Sequence, residues 1–456
     1  MNNEQQQKFV QTIYDGIFAS LTEAPPGERA IYDRSKVLLT FEKVGRRLNS
    51  ADYRNPWSPG NSGGSKQAAI NFAALANEAP VLQSAHTPSG TRISDIYRTI
   101  LTAQVTPQPA LSPAAEEEYK KAYTILNRLV KDPEDPDAEP MPKPSQLVDS
   151  YNANLTAYTT AQIKYVQQYF EAMKTPEGRA SWPLIGPSLK TPVEIAYNTW
   201  RNGEATKVED AQATIEFSSR NQVGRAFSDA KKLFETYLKE ELEPGNVHPR
   251  SRAIPSDWHS SQAARSWATR TFSSSSMTTR NDSEFTRYGG RASFSLGLFS
   301  IGGGGGGSNS RQFQSVEASS LEISFRYSLV TIDRPWLTQL LLDLPGWSLG
   351  AIPAGKYSNG KKDNNLGLLP LIPQAFIVTR DLTIKAKWSK NDLEIITKAM
   401  NGSASVSFGP FSIGGGGGSS SSSSTEWKNK TEGEILVPSL QIIGWINTLV
   451  PFCPPA

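Results

Sequence analysis

The sequence predicts an α+β chain, with a helical N-terminal region followed by a β-rich C-terminal domain that contains an internal duplication. Three observations predict it. Apolar residues recur at helical spacing early in the chain, as at Phe9, Ile13, Ile17 and Leu21, which places them on one face of a helix. Beyond Pro244 the period falls to two. Leu321, Ile323, Phe325, Tyr327 and Leu329 alternate with Glu322, Ser324, Arg326 and Ser328, the pattern of a strand with one wet and one buried face. Finally, Ala292–Ile301 and the six glycines after it return 112 positions later as Ala404–Ile413 and five glycines. Glu322-Ile323 and Glu434-Ile435 keep the same offset beyond the two loops. A strand–Gly/Ser loop–strand unit therefore reads as present twice, at about 291–332 and 404–445.

Each element follows in order. Residues 1–131 read as a helical domain, with the first helix followed by helical windows at about 30–49, 66–77, 92–104 and 115–131. The breakers of Asn55-Pro-Trp-Ser-Pro-Gly-Asn-Ser-Gly-Gly64 make Ala51–Ser65 a loop. The acidic, proline-rich stretch 132–144 cannot be helix, since each proline removes a donor and disfavours helix before it. It is a linker or the tip of a helical hairpin. Long helices fill 145–243: one over Gln146–Lys174, with Leu147, Tyr151, Leu155, Tyr158, Ala161 and Tyr165, and one over Lys207–Leu242, with Val223, Phe227, Ala230, Phe234 and Leu238. Their stripes read as core of a bundle or hairpin. Residues 244–283 form a Pro/Ser-rich linker, and 284–456 the β-rich domain. Within it, Phe376–Lys387 is a strand candidate and about Lys390–Ala399 a short helix.

Composition bounds the function. A chain of 456 residues suffices for two to four domains. With 47 Lys+Arg against 44 Asp+Glu, the net charge of +3 gives no reason to expect wholesale nucleic-acid binding. Arg250–Arg280, with Trp258, Trp267 and Phe272 interleaved, could stack on bases but reads first as a packing segment. The single Cys453 excludes an internal disulfide and an all-Cys zinc site, and it suggests a reducing compartment. The N-terminus is polar and carries no secretory signal. No apolar run reaches transmembrane length. A cytoplasmic, soluble protein is the expectation, with export by a non-classical route left open.

No motif carries chemistry. The three histidines are His86, His248 and His259. Asp257-Trp258-His259-Ser260 holds the residue types of a catalytic triad, but sequence neighbours seldom converge as one, and a loop anchored by its tryptophan is the simpler reading. No His-Glu-x-x-His or calcium loop is present. Cys453 lacks a basic neighbour that would activate its thiol. The expectation is a chain that is not an enzyme and takes no cofactor or metal.

The glycine-serine loops, Gly302–Ser310 and Gly414–Ser424, lack the Gly-Lys-Ser/Thr and the helix that a phosphate loop needs. They read as flexible connections. The strands around them have the length and alternation of bilayer-spanning hairpins as well as of soluble ones. Trp336, Trp347 and Trp445 stand near strand ends, where a tryptophan closes a barrel or sandwich, anchors a partner or sits at a membrane interface. The candidate interaction or membrane-insertion residues are therefore Phe294, Leu296, Leu298, Ile323, Phe325, Tyr327, Trp336, Trp347, Val406, Phe408 and Trp445. The expected function is non-enzymatic interaction or self-assembly through long helices and the duplicated β domain, with a second copy or another protein as partner. The alternatives are a soluble pore-forming protein that inserts both hairpins into a membrane and a hydrolase without a sequence signature.

Overall fold

The computed structural model describes residues 3–23, 30–33, 36–83, 85–106, 112–131, 140–239, 247–263, 267–274, 299–302, 321–387, 394, 405–414, 428–429 and 434–455. The chain is an α+β protein. Its helices are α1 (Asn3–Thr22), α2 (Lys66–Ala76), α3 (Ile93–Ile100), α4 (Pro113–Leu126), α5 (Gln146–Met173), α6 (Pro176–Trp200), α7 (Thr206–Asn221) and α8 (Val223–Lys239). The main strands are β1 (Val37–Leu48), β2 (Arg252–Ile254), β3 (Ala268–Ser273), β4 (Phe299–Gly302), β5 (Glu322–Asp333), β6 (Leu371–Lys385), β7 (Ser405–Phe408), β8 (Phe411–Gly414), β9 (Glu434–Val437) and β10 (Leu440–Leu449).

The large sheet is antiparallel throughout. β5 and β6 lie side by side at its centre, from Glu322↔Lys385 to Thr331↔Ala375. Beyond β6, one lane holds β9 and then β10, and β10 in turn pairs with β1. Beyond β5, another lane is shared by β3, against Glu322–Tyr327, and β2, against Thr331–Asp333. Gly444 sits where β1, β10 and β6 meet; a Cβ there would lie 3.3 Å from the Phe41 ring and 3.3 Å from the Thr40 carbonyl oxygen. The glycine keeps those backbones close.

Both faces of the sheet are covered. On one face α1 lays Phe9, Ile13, Ile17 and Leu21 against Phe272, Ile323, Phe325, Tyr327 and Ile377. The stripe expected from the sequence is thus the helix's buried face. A small sheet of order β8–β7–β4 completes that cover with Val406, Phe408, Phe411 and Ile413. On the other face, Phe72, Leu75 and Ala76 of α2 join Trp258 and Trp267 over Val330, Phe376, Val378, Ile442 and Trp445. A third cluster, off the sheet, packs α3 and α8 around Trp336 and Trp347.

Five expectations are corrected. The window 30–49 holds β1, because Val37-Leu-Leu-Thr-Phe41 is buried on both faces and rich in strand-forming types. The expected linker 244–283 contributes β2 and β3, whose few residues become strand only by pairing with β5. The expected single helix over 207–242 breaks at Gln222, where φ is −140° and ψ 62°. Among the described residues, Phe299–Gly302, Ser405–Phe408 and Phe411–Gly414 pair with one another and not, as hairpins, with the strands beyond the two glycine loops, β5 and Glu434–Val437. In the second copy the chain folds back at Gly409, whose φ of +53° suits glycine. The two identical Phe-Ser-Ile-Gly segments, β4 and β8, then flank β7 from opposite sides, with Ser300 and Ser412 both opposite Ser407. Between α4 and α5, Asn127–Val130 pairs with Met141–Pro144, so a β-ribbon stands where a linker or helical tip was expected. The short helix expected at 390–399 falls outside the described residues, apart from Glu394.

The close seat of α1 gives a test. A Cβ on Gly16 would lie 2.6 Å from the Phe272 ring, which itself stacks on Phe325. Gly16→Val should therefore cost about 2 kcal/mol through overpacking, read as a lowered midpoint in urea unfolding. Gly60→Val, at a position with open space around it, should leave the midpoint within about 0.5 kcal/mol of wild type.

Candidate interaction surface

The predicted residues are placed first. Ile323, Phe325, Tyr327, Trp336, Trp347, Val406, Phe408 and Trp445 are all at most 3% exposed. They are core, not surface. The alternation of β5 was read correctly as a buried face, but what buries it is α1: Tyr327 Oη donates to Ser20 Oγ at 3.3 Å. Phe294, Leu296 and Leu298 lie outside the described residues. Moving β5 into a bilayer would first break its pairings on both edges. No helix among the described residues is long and apolar enough to cross a membrane.

Trp445 has a polar role within the core. Its Nε1 donates to Glu42 Oε1 at 2.8 Å, and the His86 ring stacks on it at 4.6 Å. Glu42 lies in the irregular stretch of β1 between Phe41 and Arg46, and Arg46 makes a bidentate pair with Glu78. Burial raises the Glu42 carboxyl to about 7, against the smaller opposing pull of the Trp445 hydrogen bond and Arg46. Burial, helped by Arg46, lowers His86 to about 3. The other two histidines are elsewhere: His248 Nδ1 contacts the Asn77 amide at 3.2 Å, and His259 lies edge-on to Trp258. Trp258 is buried against Tyr53, Phe72 and Phe376, so Asp257–Ser260 is a loop held by its tryptophan.

Exposed apolar side chains gather instead on α6. Residues 176–200 carry Pro183, Pro187 and Pro192 inside the helix, and sequence periodicity gives no helix there because each proline deletes a backbone donor. The helix is held by α5. The two are joined by Lys174 and Thr175, and the Thr175 hydroxyl caps α6 by accepting from Gly178 N at 3.0 Å. Trp182 meets Tyr165 and Tyr169 at 5.7 and 5.3 Å, Tyr197 meets Tyr158 at 5.4 Å, and Trp200 stacks on Tyr158 at 5.7 Å and meets Tyr151 at 5.8 Å. Gly186 and Val193 fill the seam between these rings.

With that seam facing α5, the opposite side of α6 is open. Leu184 is 83% and Ile195 62% exposed, with Ile185 and Tyr197 beside them. Leu184, Ser188, Thr191 and Ile195 stand at i, i+4, i+7 and i+11, which is one line along a helix. Beside the arm that α5 and α6 form together, Arg225 of α8 pairs with Glu116 of α4 and lies over the Tyr119 ring at 4.0 Å, while Tyr119 Oη donates to Asp229 at 2.5 Å. Here α4 braces α7 and α8.

The other side of α5 meets the sheet less tightly. A cavity of about 400 Å³ lies between Asn152, Leu155, Thr156, Thr159 and Thr160 of α5 and Tyr327, Leu329 and Thr331 of β5. Among the described residues, no group of His, Cys, Asp and Glu is arranged to hold a metal ion. No known protein family, curated protein or solved structure matches the chain.

Two expectations follow. Trp182→Ala should loosen α6 by about 2 kcal/mol, given a half-buried ring. Hydrogen exchange should then rise across 176–200 while β5 and β6 keep their protection. The second concerns pH. His86, depressed in the fold, contributes stability present above about 6.5 and lost as pH falls toward 3. Glu42, raised in the fold, contributes stability present below about 4.5 and lost as pH rises through 7. Their slopes oppose between those ranges. Glu42→Gln should therefore stabilise at pH 8 by roughly 2 kcal/mol and have little effect at pH 4, as read from urea midpoints at the two values.

Proposed function

We propose that the protein acts without catalysis as a self-assembly protein, with the outer face of α6 as the surface on which a second copy docks. The exposed line Leu184–Ser188–Thr191–Ile195 carries the reading. Scattered exposed apolar residues need no explanation, but a line of them on a helix already zipped along its opposite side does. The line is self-complementary. Two α6 helices crossing antiparallel about a twofold axis would set Leu184 against Ile195 and Ser188 against Thr191, each contact occurring twice. The small central pair lets the helices approach closely.

The strength can be bounded. Covering two leucines and two isoleucines contributes roughly 6–12 kcal/mol at about 1.5–3 each. Association costs about 4–15 kcal/mol. The difference fits a weak dimer, micromolar or looser, rather than an obligate one.

Sedimentation velocity over about 1–200 μM tests it, since that range brackets a Kd in the tens of micromolar. Wild type should shift from monomer toward dimer, and the double variant Leu184→Asp/Ile195→Asp should remain monomer with an unchanged thermal unfolding curve. A wild type that stays monomeric at the top concentration would sink the proposal. So would a dimer that the two aspartates leave intact.

A further inference from the structure

A second feature, on the opposite side of α5 from the arm's seam, is a cleft of about 810 Å³. Its walls come from four parts of the chain: the loop after Tyr53, the first turns of α2, the first turns of α5, and β2 with the turn that follows it. That volume falls within the range of small-molecule sites, which are largely formed before the ligand arrives.

The loop wall is built to keep its shape. Trp57 N donates to Ser65 O at 2.9 Å and Ser65 N to Asn55 O at 2.7 Å. The Asn61 amide donates to Asn55 Oδ1 and to Pro56 O, both at 2.9 Å. A Cβ on Gly64 would lie 2.7 Å from the Pro56 oxygen and 2.7 Å from Trp57 Cα, so the loop closes too tightly for any other residue. Ser65 then caps α2 by accepting from Ala68 N at 3.1 Å. The product is a rigid shelf that holds Trp57, partly exposed, in the lining of the cleft together with Tyr53.

The charges on the lining balance. They are Arg250, Arg252, Asp149 and Asp257. Arg252 is held between Asp149 at 3.0 Å and Asp333 at 2.7 Å. Arg250 is buried and lies over the Tyr237 ring at 5.3 Å. A phosphate or carboxylate ligand would find no uncommitted Arg252, and a cation would find Asp149 already paired. What the lining offers is flat aromatic surface beside neutral polar groups: the Asn152 amide, the Ser58 hydroxyl and the acceptor oxygen of Thr156, whose proton goes to the Asn152 carbonyl. His259 also lines this wall, edge-on to Trp258, but its Nδ1 has no surface open to the cleft. Burial also lowers the His259 pKa, which leaves the ring neutral at pH 7.

From this geometry we infer that the cleft binds a neutral, polyhydroxylated ring, a mono- or oligosaccharide, stacked on Trp57 and hydrogen-bonded by Asn152. A sugar ring matches the lining on both counts: an apolar C–H face for the indole and hydroxyls that both donate and accept for the amide. Aromatic residues serve the same way wherever a site must be apolar on one side and polar on the other.

Titration of the full chain with glucose, galactose, N-acetylglucosamine, maltose and cellobiose, followed by tryptophan fluorescence and ligand-observed NMR, tests the inference. At up to about 20 mM, a millimolar site would be nearly filled. At least one sugar should bind saturably. Trp57→Ala should weaken it at least tenfold and Trp57→Phe much less, because phenylalanine restores the flat face. Asn152→Ala, on α5 and outside the shelf, should weaken it severalfold and reports independently should Trp57→Ala disturb the loop. Absence of saturable binding by every sugar overturns the inference. Binding that both Trp57→Ala and Asn152→Ala leave unchanged does the same, as does binding of the neutral nucleoside adenosine without any sugar.

Discussion

Two arginines in consecutive parts of the core hold the elements around the sheet in place. Arg334, at the end of β5, is 6% exposed; its Nε donates to the Ala76 carbonyl at 2.8 Å and its Nη1 to the Pro373 carbonyl at 2.5 Å. Ala76 is the last residue of α2, so the charge sits at a helix C-terminus, where the dipole favours it. Burial pulls the guanidinium down to about 9, still charged at neutral pH. Arg252, paired across β2 and β5 with Asp333, reaches on to Asp149 in the first turn of α5. One arginine thus fixes α2 to the sheet and the other fixes α5. Truncating Arg334 would leave the buried Ala76 and Pro373 carbonyls without that donor, which is costlier than losing the bond alone.

That arrangement explains how the cover of the sheet differs from place to place. Where α1 crosses the sheet, its apolar stripe meets strand residues directly, with Gln11, Asp15 and Ser20 buried beside it. At the β2 edge, the polar tether from Arg252 does the holding, and the side chains α5 turns toward the sheet are asparagine and threonine as often as leucine or isoleucine. A helix held by a charged contact near its N-terminus and by an aromatic seam on another side need not fill the space beneath it. The cavity, the cleft and the arm are consequences of the same economy of packing in α5.

The fold was legible wherever an element's own period decided its state. Phe9, Ile13, Ile17 and Leu21 define α1 because nothing else competes with a four-residue repeat over twenty positions. The strand at Leu371–Lys385 was read from Phe376 onward, where Phe-Ile-Val is apolar, while its first five residues, which include Pro373 and Gln374, were missed. By contrast, β1 has a short apolar run that suits a buried strand and a helix alike, and only its partner Leu440–Leu449, at the far end of the chain, decides. The polar β3 and the three-residue β2 have no period to read; they exist because β5 has an edge to fill. Helix α6 was hidden by its prolines, and its support lies in tyrosines of α5. The candidate site suffered from the same limit. Ile323, Phe325 and Tyr327 announce a buried face without announcing its cover, and Ser20, which meets Tyr327, is 307 positions away. The exposed line on α6 had a signal, apolar residues on two opposite sides of one helix, but it can be seen only once those residues are known to be helical.

The space under α5 has a mechanical side. Unfilled volume inside a protein is recovered when the surrounding structure opens, and hydrostatic pressure favours whichever state occupies less volume. The cavity between α5 and β5, lined by Tyr327 and Leu329 on the same sheet face that α1 covers, concentrates such volume beneath one helix. Compression would therefore act on this molecule unevenly. Helix α5 would part from β5 before the sheet itself came apart.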